Sequence, residues 1–103
     1  MRHHPGMDRS RALALLGEHK PVLAQRFGVT RLALFGSVAR GTAKEDSDVD
    51  VLVAFGEAVT PEDFFGVQFY LEDLLGCPID LVTEKALRPQ IRSYVERDAI
   101  AIL

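Results

Sequence analysis

The sequence has little of several features that define whole classes of proteins. Cys77 is its single cysteine, so the chain cannot form an internal disulfide, which is compatible with a reducing cytosol. No apolar run approaches the roughly 18 residues that a membrane-spanning helix requires. Residues 1–7 also lack the apolar segment of a signal peptide. These absences together predict a cytoplasmic protein with no membrane partner.

Basic charge is not in surplus either. The chain has 12 Lys and Arg residues against 15 Asp and Glu residues, for a net charge of −3. Because neutralised phosphates supply most of the affinity of nucleic-acid binders, this balance argues against a long polynucleotide substrate. A single nucleotide is still compatible, since metal ions and a few local groups can hold its phosphates.

Nothing in the sequence indicates a second domain, a repeat, a linker or a low-complexity tract. The 103 residues are 48% hydrophobic and 26% charged, which is ordinary for one soluble domain with its own core. Residues 1–9 carry no periodicity and are expected to form a disordered tail. Residues 10–103 are expected to form the domain.

Helical and strand patterns alternate along this domain. Ser10 to Phe27 has a helical pattern, in which Gly17 and Pro21 predict a break into two short helices. The other predicted elements are a strand at 31–35, a helical turn ended by Gly41, a strand at 48–55, a helix from Pro61 to about Leu75, a strand at 78–83, a helix at about 89–98, and an apolar terminal segment at 100–103.

Two aspartates at the start of the second strand are the most informative feature. Asp48 and Asp50 are two residues apart, so both carboxylates project from the same face of a strand. Such close carboxylates repel and are costly to bury without a partner, and Mg²⁺ prefers oxygen ligands of this kind. Asp80, between two apolar residues of the next strand, is a natural third ligand. Three carboxylates could complete a two-metal clamp for phosphoryl or nucleotidyl transfer.

Gly36 and Ser37 supply the groups that such a site needs for phosphate. A glycine at the end of a strand lets a phosphate approach the backbone, and the N–H groups of a following helical turn would point at it. The Ser37 hydroxyl is a further donor, and Arg40, one turn later, could reach the same phosphates. Each residue alone has an ordinary explanation as a turn, strand edge or surface residue. Their order along the chain favours a nucleotide site.

These residues lie within a longer pattern. It resembles the signature of the minimal nucleotidyltransferase (MNT) family, within the DNA polymerase beta superfamily, and the resemblance covers nearly the whole chain. The residues that carry it are Leu34-Phe35-Gly36-Ser37-Val38-Ala39-Arg40-Gly41 and Ser47-Asp48-Val49-Asp50-Val51-Leu52-Val53.

The resemblance implies an α/β (α+β) nucleotidyltransferase fold, a mixed β-sheet flanked by helices. It implies that Gly36 and Ser37 hold the nucleotide phosphates and that Asp48 and Asp50 bind Mg²⁺. Asp80 matches the third acid, which in active members helps to bind the catalytic metal and prepares the attacking hydroxyl. Arg40 and Ser47 complete the expected nucleotide-binding residues.

The resemblance also implies a function. Small stand-alone proteins of this kind resemble antitoxins that use ATP and two Mg²⁺ ions to transfer AMP to a tyrosine hydroxyl of a HEPN-domain toxin. A non-catalytic antitoxin that binds and masks the toxin is the alternative. A transferase for a small molecule such as an aminoglycoside ranks last, because the sequence has no second domain to hold the acceptor. The nucleotide, the number transferred, the acceptor and homo-oligomerisation stay open.

Phe65 and Phe69 lie four residues apart on the helix that begins at Pro61, beside its core-facing arc. Two interpretations stay open for them: a core that wraps widely around this helix, or a protein–protein surface. Of the remaining side chains, His19 is predicted to be solvated between two charged residues, and Cys77 to be inert because no basic group is near it.

Overall fold

The first helix is continuous. We describe a computed structural model that covers residues 8–43, 48–56 and 59–103. Helix α1 (Arg9–Phe27) begins after Asp8, whose side chain accepts a hydrogen bond of 2.8 Å from the Arg11 backbone N–H, and Pro21 lies inside it. The predicted break at Gly17 and Pro21 is therefore wrong. Buried Leu16 and Leu23 hold both halves of the helix against the same core, and this packing offsets the hydrogen bond that proline removes.

A mixed sheet of four strands follows, and it confirms the predicted fold class. Its order is β3-β2-β1-β4, with β1 antiparallel to both β2 and β4, and β2 parallel to β3. The remaining elements are β1 (Val29–Phe35), α2 (Gly36–Arg40), β2 (Val49–Phe55), α3 (Pro61–Leu75), β3 (Ile79–Thr83), a 3₁₀ turn (Glu84–Ala86), α4 (Pro89–Asp98) and β4 (Ile100–Ala101).

The two faces of the sheet are covered unequally. One face packs against α1 and α3 and buries the alternating valines of β2, Val49, Val51 and Val53. On the other face, Ala33 and Leu52 are buried with Leu87 and Val95, which come from α4 and the segment before it. Asp50 belongs to this second face because it alternates with the valines.

Helix α3 has the ends that its sequence predicted. Its cap residue, Thr60, accepts a hydrogen bond of 3.1 Å from the Asp63 N–H, and the helix ends at Gly76 with a φ of 71°. Gly66 packs directly on α1, since a Cβ there would lie 2.8 Å from Cε1 of Phe27. Helix α3 is therefore held close to α1 along this side.

The two phenylalanines of α3 whose position the sequence left undecided lie on the surface. Phe65 is 50% exposed and Phe69 is 63% exposed, and their rings stack with centroids 6.4 Å apart.

The prediction for His19 was wrong: its Nδ1 lies 2.6 Å from the hydroxyl oxygen of Tyr70, in a part-buried contact between α1 and α3. Within the described ranges, no helix is long and apolar enough to cross a membrane.

Candidate active site

The parallel pairing of β2 with β3 places Asp50 opposite Asp80. Partners in a parallel ladder project to the same face of the sheet, and the two carboxyl groups make a side-chain hydrogen bond. A hydrogen bond between two carboxyl groups forms when one of them is protonated. The two acids are thus a close pair whose charges repel when both are ionised.

The electrostatics of the pair follow from its position. Burial raises the pKa of Asp50 to about 6, and the charge of Asp80, their hydrogen bond and the charge of Asp48 act in the same direction. Asp48 is exposed, immediately before β2. Arg40 opposes these effects and lowers the pKa of Asp50, so its guanidinium acts on the same carboxyl group. The acids therefore concentrate more negative charge than the nearby arginine offsets.

Gly36 covers the Asp50 carboxylate. Its backbone has a φ of 74°, and an added Cβ would collide with the Asp50 carboxylate, at 2.9 Å from Cγ. The antiparallel register places Phe35 opposite Asp50, which explains why the next residue lies over this side chain. Ser37 follows as the second residue of α2 and is half-buried. The glycine–serine turn and the acid pair are thus one structural unit.

Arg40 lies at the end of α2 and is attached to α4. Its Nη1 donates a hydrogen bond of 2.9 Å to Oδ2 of Asp98, the last residue of α4. Sequence reasoning placed Arg40 near the phosphates but missed Asp98. No local signal could have found it, because the two residues are 58 positions apart. Within the described ranges, this ion pair engages Nη1 of Arg40, and the guanidinium has five N–H donors in all.

The structure brings most of the predicted site residues to one end of the sheet. Asp50 and Asp80 touch, Gly36 lies against them, and the charges of Asp48 and Arg40 both act on Asp50. Ser47 lies outside the described residues.

Cys77 is a neighbour of this site that the sequence did not indicate. Burial raises the pKa of its thiol, and the charges of Asp48 and Glu72 act in the same direction. The thiol is therefore protonated near neutral pH and is a poor nucleophile, as the prediction that it is inert requires.

The acid pair has the chemistry of a divalent-cation site that shares its ligands with a substrate. In the part of the chain that the structure describes, no three His, Cys, Asp or Glu side chains are grouped to hold a metal by themselves. Mg²⁺ does not need such a cage, because it commonly takes one or two carboxylates and completes its shell with phosphate oxygens and water. The hydrogen-bonded pair of Asp50 and Asp80, with Asp48 nearby, fits this requirement.

Comparison with known proteins gives the class of protein that this fold and site define. Residues 16–102 match the family described as "Nucleotidyltransferase domain", and the chain belongs to this family. The fold predicted from the resemblance is therefore confirmed, and so is the enzyme class.

Individual relatives have more specific descriptions than the family as a whole. The protein adenylyltransferase MntA of Thermococcus cleftensis is 44% identical over 89 residues, which cover 86% of this chain and 90% of the relative. A solved structure described as that of a minimal nucleotidyltransferase is 46% identical, with a TM-score of 0.77 over 91% of this chain and 95% of that chain.

A more distant likeness shows the fold alone. It is to a complex of a tri-AMPylated HEPN toxin with an MNT antitoxin from Shewanella oneidensis, with 16% identity, a TM-score of 0.64, and coverage of 88% of this chain and 71% of that chain.

Proposed function

We propose that this chain is a Mg²⁺-dependent protein adenylyltransferase that transfers AMP from ATP to a hydroxyl group of a HEPN-domain toxin and thereby acts as its antitoxin. The observation that carries the proposal is the contact of Asp50 with Asp80 directly beneath Gly36. This arrangement supports the proposal, because it would bring cation ligands close to a backbone turn that a phosphate can approach. The similarity to an archaeal protein adenylyltransferase supports AMP as the group transferred and a protein as the acceptor.

The residues of the site divide the work of this reaction. Asp48, Asp50 and Asp80 would hold two Mg²⁺ ions, which supply charge neutralisation at the α-phosphate and at the leaving pyrophosphate. Gly36 lets the phosphates approach the backbone, while the Ser37 hydroxyl and the Arg40 guanidinium donate hydrogen bonds to them. We assign Ser47 to nucleotide binding together with Gly36, Ser37 and Arg40.

Asp80 would accept the proton of the acceptor hydroxyl. The hydroxyl oxygen then forms a bond to the α-phosphorus, and the bond from that phosphorus to the bridging oxygen breaks. AMP stays on the acceptor and pyrophosphate leaves with the electron pair. Asp80 suits this role because it is exposed on the edge strand, whereas Asp50 is partly buried behind it.

The direct test is transfer of label from α-³²P-ATP to the HEPN-domain protein of the same genome, with Mg²⁺ present. Asp48→Asn and Asp50→Asn should each reduce the labelling rate by about a hundredfold or more, because each removes a charge that binds the cation. Glu18→Gln, which changes an exposed acid of α1, is the control and should label like the wild type. Equal labelling by wild type and Asp48→Asn would exclude the catalytic role.

The alternative is an antitoxin that masks its toxin without catalysis. A pure binding protein has no need for carboxylates that repel one another, so the contact between Asp50 and Asp80 favours the enzyme. The protection of cells that express the toxin distinguishes the two functions. If Asp50→Asn still protects them fully, masking is the function.

A further inference from the structure

Helix α3 presents a row of exposed side chains that no other described element covers. The row consists of Glu62, Phe65, Phe69 and Asp73, and we call it the α3 stripe. Its members are spaced by three or four residues, so they align along one side of the helix. The two aromatic rings are stacked with an interplanar angle of 28°, and both are at least half exposed. An apolar pair in this setting is typical of a docking surface.

The opposite side of α3 is committed to the core. Val67, Leu71 and Leu75 are buried, and Gly66 packs against the ring of Phe27 on α1. The helix cannot rotate to bury its two exposed phenylalanines without exposing these residues. Among the described residues, the α3 stripe is therefore a stable feature of the surface that is available to another molecule.

Charge determines which kind of molecule fits. Helix α3 carries four acids, Glu62, Asp63, Glu72 and Asp73, and no lysine or arginine. A second copy docked through the same stripe would bring acids against acids, since a two-fold contact pairs a surface with itself. A different protein, with an apolar cleft flanked by lysine or arginine side chains, has the complementary charge.

The position of the stripe separates docking from chemistry. Helix α3 covers the face of the sheet that buries Val49 and Val51, whereas Asp50 and Asp80 project from the other face. Strand β3 is an edge strand, so a docked partner can reach the acids around this edge. Gln68 ties the helix to that edge, because its Nε2 donates a hydrogen bond of 3.3 Å to the carbonyl oxygen of Ile79.

We infer that the α3 stripe docks the acceptor protein of the transfer reaction, and that this acceptor offers an apolar cleft flanked by basic side chains. The inference rests on the proposed function for the identity of the acceptor. The acceptor hydroxyl must then lie on a segment that extends past β3 to the active site.

Binding of the HEPN-domain protein to the full chain, measured by calorimetry without nucleotide, tests the inference. The double variant Phe65→Ser/Phe69→Ser should weaken binding at least about tenfold, because buried aromatic anchors carry much of the energy of an interface. Glu62→Lys/Asp73→Lys keeps the rings and should weaken binding several-fold, with less dependence on salt. Leu103→Ser is the matched control, since this side chain is also apolar and 38% exposed but lies beside β1, away from β3.

Transfer kinetics give a second readout. Because the stripe and the acids lie on opposite sides of the sheet, variants of the stripe should raise KM for the acceptor and leave kcat near that of the wild type. Unchanged binding by both stripe variants would overturn the docking site, whatever the transfer activity. A wild-type chain that binds the acceptor through the stripe but transfers no AMP would sustain the docking site and contradict the proposed enzyme. Stripe variants that only reduce self-association, measured by light scattering, would assign the stripe to a second copy and overturn the inference.

Discussion

Asp50 and Asp80 face each other across two parallel strands, and their carboxyl groups are joined by a hydrogen bond. The pair is unfavourable for the folded chain alone, since two carboxylates at this distance cannot both ionise freely. In the proposed function, a bound cation would supply the positive charge that the pair lacks. A site that is destabilising without its ligand and ordered with it is common among enzymes that bind metals.

One consequence concerns stability against pH in the absence of divalent cations. The folded-state pKa of Asp50 is raised from 3.8 to about 6, so the folded state holds this proton more tightly than the unfolded chain. The contribution of Asp50 to stability is therefore full below about pH 4 and is lost as the pH rises through about 6. Asp50→Asn should raise the free energy of unfolding by about 1 kcal/mol at pH 8, after allowance for solvent screening, and change it little at pH 4.

Urea denaturation in EDTA at the two pH values measures this difference. Asp73→Asn, on the exposed side of α3, is the control and should show no comparable dependence on pH. A gain of equal size at pH 4 and pH 8 would mean that Asp50→Asn stabilises the fold by some other route than charge.

Gly36 and Gly28 allow a second prediction, because they share a backbone conformation but not a neighbour. Their φ angles are 74° and 73°, so alanine at either position should cost about 1 kcal/mol of stability. Only Gly36 has the Asp50 carboxylate against it. Gly36→Ala should therefore also reduce AMP transfer by about a hundredfold, because a displacement of about 1 Å would take the Asp50 carboxylate out of its catalytic geometry.

Gly28→Ala should keep its transfer rate, since nothing lies within 4 Å of the added carbon. Rates measured at saturating ATP and thermal melting of both variants separate strain from displacement. Similar activity of the two variants would show that Asp50 tolerates the added methyl group.

The ion pair of Arg40 with Asp98 makes a third prediction. Asp98 restrains the guanidinium of Arg40, whose charge also acts on Asp50. Asp98→Asn should raise KM for ATP by about threefold to tenfold with a smaller effect on kcat. Arg40→Gln should have the larger effect, and the double variant should match Arg40→Gln alone.

Glu84→Gln is the matched control, because it removes another surface ion pair of an arginine, Arg31 with Glu84 at 3.2 Å. It should leave KM for ATP unchanged. If Asp98→Asn lowers the melting temperature but not the affinity for ATP, the pair serves only to attach α4 to α2.

Helix α1 yields a fourth prediction. Gly17 has open space around it and lies within a helix, so Gly17→Ala should raise the free energy of unfolding by about 0.5–1 kcal/mol. Gly66→Ala in α3 is the contrasting variant, because the ring of Phe27 occupies the space of the new methyl group. It should gain nothing or lose stability. Denaturant midpoints of the two variants, at unchanged m-value, provide the measurement.

Local chemistry in the sequence was sufficient for most helix ends and strands. Thr60 and Pro61 begin α3 and Gly76 ends it as predicted, because capping depends on residues within one turn. The same local reasoning failed at Pro21. A proline removes one hydrogen bond, but the burial of Leu16 and Leu23 on both sides of it contributes more.

The prediction for His19 failed for a related reason. Its sequence neighbours are charged, which predicts solvent, but its contact is Tyr70, which lies 51 residues away on another helix. The surface position of Phe65 and Phe69 was likewise open in the sequence, since a helix of this composition can be covered on one side or on two.

The glycine–serine turn and the acids of the proposed active site can be found in the linear chain, because their chemistry lies in the residue types and their short spacing. The contacts between Asp50 and Asp80, and between Arg40 and Asp98, cannot be found there. They depend on strand register and on the docking of α4, which long-range burial of apolar side chains determines. Residue types and short spacings thus determine the chemistry of the proposed site. Its geometry, and the surface that we propose for docking, are determined only by the folded chain.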